Sequence, residues 1–168
     1  MKVLVACECS GIVRDAFLEQ GHDAISCDIL PTEKPGPHIQ CDVSKVLDDG
    51  WDLIIAHPPC DYLTVSGNAH YANRPDLYIP AYHFAVQFFD YADFVCVENP
   101  VGRLSSLFRK PDQYVQPYQF GHDASKKTGL WLKNLPKLQT TDYVEPRMVG
   151  KNKRWANQTD SGQNKLGP

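Results

Sequence analysis

The sequence lacks any apolar run near the roughly 20 residues that a membrane span needs, so a transmembrane reading is excluded. Its six cysteines, at 7, 9, 27, 41, 60 and 96, form no C-x-x-C pair and no Cys/His spacing of a zinc module. That excludes a structural-metal framework, and no metal site is expected. The cysteines lie mostly in or beside apolar runs, where buried reduced thiols sit. There is no internal repeat and no G-x-G-x-x-G fingerprint. The opening Met1-Lys2-Val3-Leu4-Val5-Ala6 is too short and wrongly shaped for a signal peptide, which predicts a cytoplasmic protein. The 168 residues suffice for one domain that buries roughly two thirds of its unfolded surface, so disulfide staples are not required.

Charge is present but unevenly placed. Residues 1–120 carry 8 Lys/Arg against 16 Asp/Glu, whereas residues 121–168 carry 9 against 4. A basic final third suits a polyanion such as nucleic acid, and equally suits a solvated basic tail.

The first hundred residues alternate between strand and helix signals. Lys2–Ala6 reads as a buried parallel strand. Ser10-Gly11 opens a helix with Ile12, Val13, Ala16 and Phe17 on one stripe, ended by Gly21. Ala24–Cys27 is a second strand closed by Asp28. A turn-rich loop at 31–37 leads to Cys41-Asp42-Val43 and a short helix near Ser44–Asp49. Trp51–Ala56 is the third clear strand, Ala81–Tyr91 a helix, and Phe94–Val97 a fourth strand. This alternation predicts an α/β fold with a Rossmann-like open, mostly parallel sheet. Beyond Pro100 the texture becomes irregular. Leu130-Trp131-Leu132 and Tyr143-Val144 are expected as antiparallel strands. The expected organisation is one core at 1–149 and a polar tail or incomplete element at 150–168.

Ligands of open α/β sheets bind at the carboxyl ends of the strands. The first such loop holds Glu8, Cys9, Ser10 and Gly11 before a helix N-terminus, whose free N–H groups suit a carboxylate or phosphate. Asp28 and Asp42 close the next two elements. Such acids bond the ribose hydroxyls or exocyclic amine of an adenosine group, and each alone also suits a turn or helix cap. His57-Pro58-Pro59-Cys60 follows the third strand. Its two prolines fix a rigid loop, which either presents Cys60 as a nucleophile or forms a plain turn. His57 reads either as a residue that supports the site from behind or as a plain turn histidine, the simpler of the two. Glu98-Asn99-Pro100 ends the neighbouring strand and sets an acid beside the thiol. A carboxyl buried there is expected to have a raised pKa.

In order, these elements resemble the catalytic core of the DNA cytosine-5 methyltransferases. The chain is particularly similar to short cytosine-methyltransferase-like proteins of bacteriophages, through H-P-P-C, V-E-N-P and F-G-H…K-T…L-W-L, over roughly residues 2–135. The resemblance implies the S-adenosylmethionine-dependent methyltransferase fold. It implies that Glu8, Cys9, Ser10, Gly11, Asp28, Asp42 and Pro58 hold S-adenosylmethionine. Cys60 would be the nucleophile toward C6 of cytosine and Glu98 the group that holds the ring. Asn99, Lys126, Lys127 and Thr128 would contact the substrate. The implied partner is cytosine-containing DNA, with the base flipped from the stack if the DNA is duplex. The family's large recognition domain has no counterpart here, which leaves sequence specificity low or supplied by a partner protein. Pro100 and Cys9 stand where the family favours Val and Gly.

Two alternatives stay open. One is a methyltransferase acting on a free nucleotide. The other is a degenerate methyltransferase fold that binds DNA, nucleotide or a host protein without catalysis. The D/N-P-P-Y/F/W loop of amino-methyltransferases is close to H-P-P-C but differs at both ends.

Overall fold

The computed structural model describes residues 1–65, 67–145, 148–149 and 154–157. Seven strands share one sheet: β1 (Lys2–Ala6), β2 (Asp23–Asp28), β3 (His38–Gln40), β4 (Leu53–Ala56), β5 (Phe94–Pro100), β6 (Gln113–Val115) and β7 (Thr128–Lys133). Their order is β3-β2-β1-β4-β5-β7-β6. Neighbours from β3 to β5 pair in parallel, while β7 runs antiparallel to both β5 and β6. Reversing β7 brings its first residue, Thr128, opposite Pro100 at the carboxyl end of β5. The sheet is therefore Rossmann-like and mostly parallel, with an added reversed strand that feeds residues into the ligand edge.

The central strands are continuous apolar runs because both faces are covered. Val3, Leu4, Val5 and Ala6 are all fully buried. On one face, helix α1 (Ile12–Glu19) lays Val13, Phe17 and Leu18 over Val3, Val5, Ala24 and Leu53. On the other, α3 (Pro75–Val86) and the 3₁₀ turn after it pack Phe84, Ala85 and Phe88 against Leu4, Ile54, Val95 and Val97. Trp131 of β7 closes the same core, and its indole N–H donates to the Arg109 carbonyl at 2.7 Å. Two further short helices, α2 (Asn68–Tyr71) and α4 (Leu104–Leu107), lie in the connections, and β8 (Met148–Val149) pairs with β9 (Arg154–Trp155). No described helix is long and apolar enough to cross a membrane.

Several expectations need correction. The α1 stripe is rotated: Ile12 and Ala16 are exposed, and Arg14 is buried in their place. The helix expected at Ala81–Tyr91 starts at Pro75, because Pro at the first turn needs no N–H partner. Pro80 sits inside that helix, and residues 87–90 tighten to 3₁₀. The short helix near Ser44–Asp49 is one 3₁₀ turn, Val43–Lys45, preceded by the unexpected strand β3. Tyr143-Val144 is not a strand. Tyr143 packs edge-on against Tyr118, and the Val144 N–H donates to the Tyr118 carbonyl at 2.8 Å. Of the expected tail at 150–168, only 154–157 fall within the described residues. Asn157 there exchanges two hydrogen bonds with the Ser125 backbone, at 3.0 and 2.8 Å.

Candidate active site

The H-P-P-C loop leaves β4 and is held from both sides. The His57 N–H donates to the Ala6 carbonyl at 2.9 Å, and the Asn99 side-chain amide donates to the Pro58 carbonyl at 3.2 Å. Pro rings remove two donors and lock φ, so these anchors suffice to hold an extended segment. The Cys60 carbonyl then accepts from Leu63 and Thr64 at 2.9 and 3.0 Å, which turns the chain. The turn docks on the segment after β5, where the Arg103 N–H donates to the Leu63 carbonyl at 2.7 Å. Gly102 is required at that crossing, since a Cβ there would lie 1.8 Å from the Leu63 oxygen.

Three of the concavities among the described residues carry the candidate site residues. Cys60 opens onto one of about 490 Å³ with Asp61, Tyr62, Thr64, Gly67 and Tyr71. His57 lines a second, of about 450 Å³, with Glu98, His122, Lys126 and Thr128. Pro59 lines a third, of about 410 Å³, with Asp28, Ile29, Asp42 and Phe84. Each volume falls within the range of small-molecule sites.

Glu98 lies inside β5 rather than after it, because the β5–β7 ladder continues to Pro100. Its carboxylate oxygen is 3.5 Å from His57 Nδ1, long for a hydrogen bond and ordinary for an ion pair. The expectation of a raised pKa is corrected. Burial pushes the carboxyl up, but His57, the Lys126 charge and the Thr128 hydroxyl together hold it below its usual value. Of the two readings open for His57, a supporting residue and a plain turn histidine, its place opposite Glu98 favours the first. A histidine three residues before a candidate nucleophile, at a strand end, was the available signal. For Cys60, burial is the largest influence and pushes the thiol up; Asp61 adds to it and Lys126 opposes it. Cys60, Glu98 and Lys126 thus lie within electrostatic reach of one another.

Lys126 is placed by its backbone, whose N–H donates to Gln116 Oε1 at 2.9 Å. Lys127 does not join it: its ammonium sits 4.3 Å from the Tyr114 ring centroid. Asn99 is fully buried, and its one described hydrogen bond goes to the Pro58 carbonyl rather than into a cavity.

The third cavity brings the two strand-end acids together. Asp28 Oδ1 accepts from the Leu30 N–H at 2.9 Å, and Asp42 Oδ1 accepts from the Ser44 N–H and hydroxyl at 2.9 and 2.8 Å. The backbone N–H of Ser44 is the main cause that holds Asp42 below the usual carboxylate range. Both acids are therefore turn-forming and cavity-lining at once. Ile29, 71% exposed, and Leu30, 55% exposed, stand beside Asp28 on this cavity, where apolar surface is kept against water.

The first loop behaves differently. Glu8 is buried, and its Oε1 accepts from the Ile12 N–H at 3.1 Å and from the Ser10 hydroxyl. The Ile12 N–H, expected to be free for a ligand, is therefore engaged by the chain itself. Gly11 takes a left-handed φ of 73°, and a Cβ on it would strike the Arg14 guanidinium. Glu8, Cys9, Ser10 and Gly11 do not line the acid cavity; Cys7 does, and Pro59 does in place of the buried Pro58.

Arg14 was missed. Fully buried, it donates to Ser26 and Thr32 hydroxyls and to the carbonyls of Lys34, Pro35 and Pro37, at 3.2–3.5 Å. It ties the 31–37 loop down beside the acid cavity. Its spacing in the α1 pattern resembles any solvent-facing arginine, so periodicity carries no signal for it.

Among the described residues, no group of His, Cys, Asp and Glu is arranged to hold a metal ion. The acid cavity does fit an adenosine-containing cofactor: two carboxylates for hydroxyl or amine groups, and apolar walls from Ile29, Val43 and Phe84 for a purine.

No protein-family model and no curated protein matches the chain. Solved structures do. A methyltransferase of Entamoeba histolytica, EhMeth, superposes with a TM-score of 0.55 at 12% identity, over 84% of this chain and 57% of that one. The chain thus spans a little over half the length of that neighbour. The 1320 protein of Thermoplasma acidophilum aligns with a TM-score of 0.48 at 18% identity, over 78% of this chain and 77% of its own. The sheet order and the first of these likenesses define a Rossmann-like, methyltransferase-like α/β fold.

Proposed function

We propose that this chain is a cytosine-5 methyltransferase core acting on DNA, with Cys60 as nucleophile and Glu98 as the group that holds the cytosine ring. The observation that carries the proposal is that Cys60, Glu98 and Lys126 lie within electrostatic reach of one another at the sheet edge, while Pro59 of the Cys60 loop lines the cavity of Asp28 and Asp42. C5 of cytosine is a weak nucleophile. Addition of the Cys60 thiolate to C6 converts C5 into the carbon of an enamine. The low-lying Glu98 carboxylate suits acceptance of a hydrogen bond from the exocyclic amine. Lys126 favours both the thiolate and the carboxylate. Asp28 and Asp42 would hold S-adenosylmethionine, which would supply the electrophilic methyl group that C5 takes. Release of the C5 proton and of Cys60 restores the ring.

The loop geometry supports the role of Asn99 as the residue that holds Pro58, and so Cys60, at a set height above β5. Sequence choice on DNA is assigned to a partner protein or is low.

The test is incubation with S-adenosylmethionine and DNA containing 5-fluorocytosine, in which fluorine blocks the final elimination. A covalent protein–DNA adduct with the native chain, absent with Cys60→Ser, is the expected result. Absence of adduct on duplex, single-stranded and nucleotide acceptors, with cofactor binding intact, would overturn it. One observation favours the non-catalytic binding alternative: burial and Asp61 oppose thiolate formation at Cys60.

A further inference from the structure

We infer that His57 is a positioning residue that stores the proton Glu98 delivers to the ring nitrogen of the acceptor base, so that the two work as one dyad. The inference rests on the cytosine reading and deepens it.

The geometry comes first. His57 Nδ1 faces Glu98 Oε2 at 3.5 Å across the mouth of the cavity they share with Lys126 and Thr128. The backbone of His57 is fixed to β1 through the Ala6 carbonyl, and Glu98 is fixed by the β5–β7 ladder, so the pair is set by two elements of the sheet. His57 Nε2 is buried and has no hydrogen-bond partner among the described residues. The imidazole is therefore committed to Glu98 on one nitrogen and to no side chain on the other. A turn histidine without a role would be expected to turn its polar edge to water.

The chemistry needs such a proton. When the Cys60 sulfur bonds to C6, the C5–C6 π bond breaks and the electron pair is delocalised toward N3. N3 must take a proton for the adduct to persist. An ionised Glu98 cannot donate one, and His57 and Lys126 keep it ionised at rest. In the dyad, the ionised Glu98 carboxylate takes the Nδ1 proton of a protonated His57 and passes that same proton on to N3. His57 ends neutral, Glu98 is again ionised, and the ring has gained one proton. Elimination of Cys60 reverses each transfer. The charged and titratable groups facing the dyad are Lys126 and His122 from the segment before β7, Cys60 from the loop of His57 itself, and Cys96 of β5.

The experiment follows exchange of the cytosine C5 hydrogen for solvent deuterium in a single-stranded oligonucleotide, a reaction that needs only reversible addition at C6 and no methyl donor. It is run over a pH series with native protein, His57→Phe and His57→Asn. The Glu98 carboxyl is titrated in parallel by carbon NMR in the absence of DNA. With His57→Phe, burial acts on Glu98 with one fewer opposing partner, so its titration moves up. Exchange at neutral pH falls at least tenfold, and the alkaline limb of the profile moves to lower pH. His57→Asn keeps a donor toward Glu98 but stores no proton. It is expected to return the Glu98 titration toward native and to keep the acid-shifted limb. An unchanged limb in both variants, with native protein active, overturns the dyad alone. Full restoration of the native limb by His57→Asn does the same, since positioning would then suffice. Absence of exchange with native protein at every pH, with the chain folded, overturns the cytosine reading and the dyad with it.

Discussion

The acid cavity and the cavity of His57 and Glu98 share one sheet edge but are assembled in opposite ways. The acid cavity takes most of its wall from residues just past β1, β2 and β3, namely Cys7, Asp28, Ile29, Asp42 and Val43. Each acid is placed by its own local turn. The second cavity joins His57, Glu98, Lys126 and Thr128, which meet only because β7 runs back along β5. Local turns place the first set of ligands, and long-range pairing places the second. Damage to the reversed strand should therefore fall on one cavity and spare the other.

The largest effect is expected from Trp131→Ala. This fully buried indole holds β7 against the core and donates to the Arg109 carbonyl. Its truncation should cost roughly 3–5 kcal/mol in urea unfolding, as large-to-small aromatic changes in cores do. What remains folded should lose thiol chemistry before cofactor affinity. Equal loss of both would contradict the separation of the two cavities. Arg14→Met reverses the selection. It deprives six described oxygen acceptors of a donor, the paired Asp15 carboxylate among them, at about 2–4 kcal/mol. Hydrogen exchange should quicken in residues 31–37 while the β5–β7 amides stay protected.

Asp28→Ala is a sharper probe with a smaller effect on stability. Loss of a charged acceptor should weaken S-adenosylmethionine binding roughly 10- to 100-fold, measured by calorimetry, if hydrogen bonds to charged groups are worth about 1.5–3 kcal/mol. Deuterium exchange at cytosine C5 should be unaltered, because the cavity of Glu98 does not include Asp28.

The pH dependence of stability offers the mildest test. The Glu98 carboxyl is held below its unfolded-state value, although burial pulls the other way. Its contribution is present above the ordinary glutamate pKa of about 4.3 and is lost as pH falls through the lower folded value. Glu98→Gln should flatten that acid decline in denaturation curves. Finally, burial pushes Cys7, Cys27 and Cys96 up to about 12. In the native protein these thiols should resist iodoacetamide at pH 8, and rapid labelling would show that β2, β5 or the segment just past β1 opens.

Legibility followed the range of the interactions. β1, β2 and β4 could be read because strands covered on both faces must be apolar throughout. Asp28 and Asp42 could be read because the turns that place them span only two residues. β3 and β6, with three residues each, hold too little pattern to register. Pro80 disguised the first half of α3. His57 looked like part of a turn until Glu98 was set opposite it.

The sequence by itself determined the alternating order of strands and helices, the acids at consecutive strand ends and the rigid H-P-P-C loop. Each is encoded in a few neighbouring residues. The tertiary structure alone decided that Arg14 is buried, that the Ile12 N–H is taken by Glu8 and Ser10, and that Lys126 reaches Glu98 while Lys127 turns to Tyr114. It also decided the direction of the Glu98 shift. Burial alone would raise that pKa, and the partners that reverse it come from two other segments of the chain, which meet Glu98 only once the sheet has closed around β5.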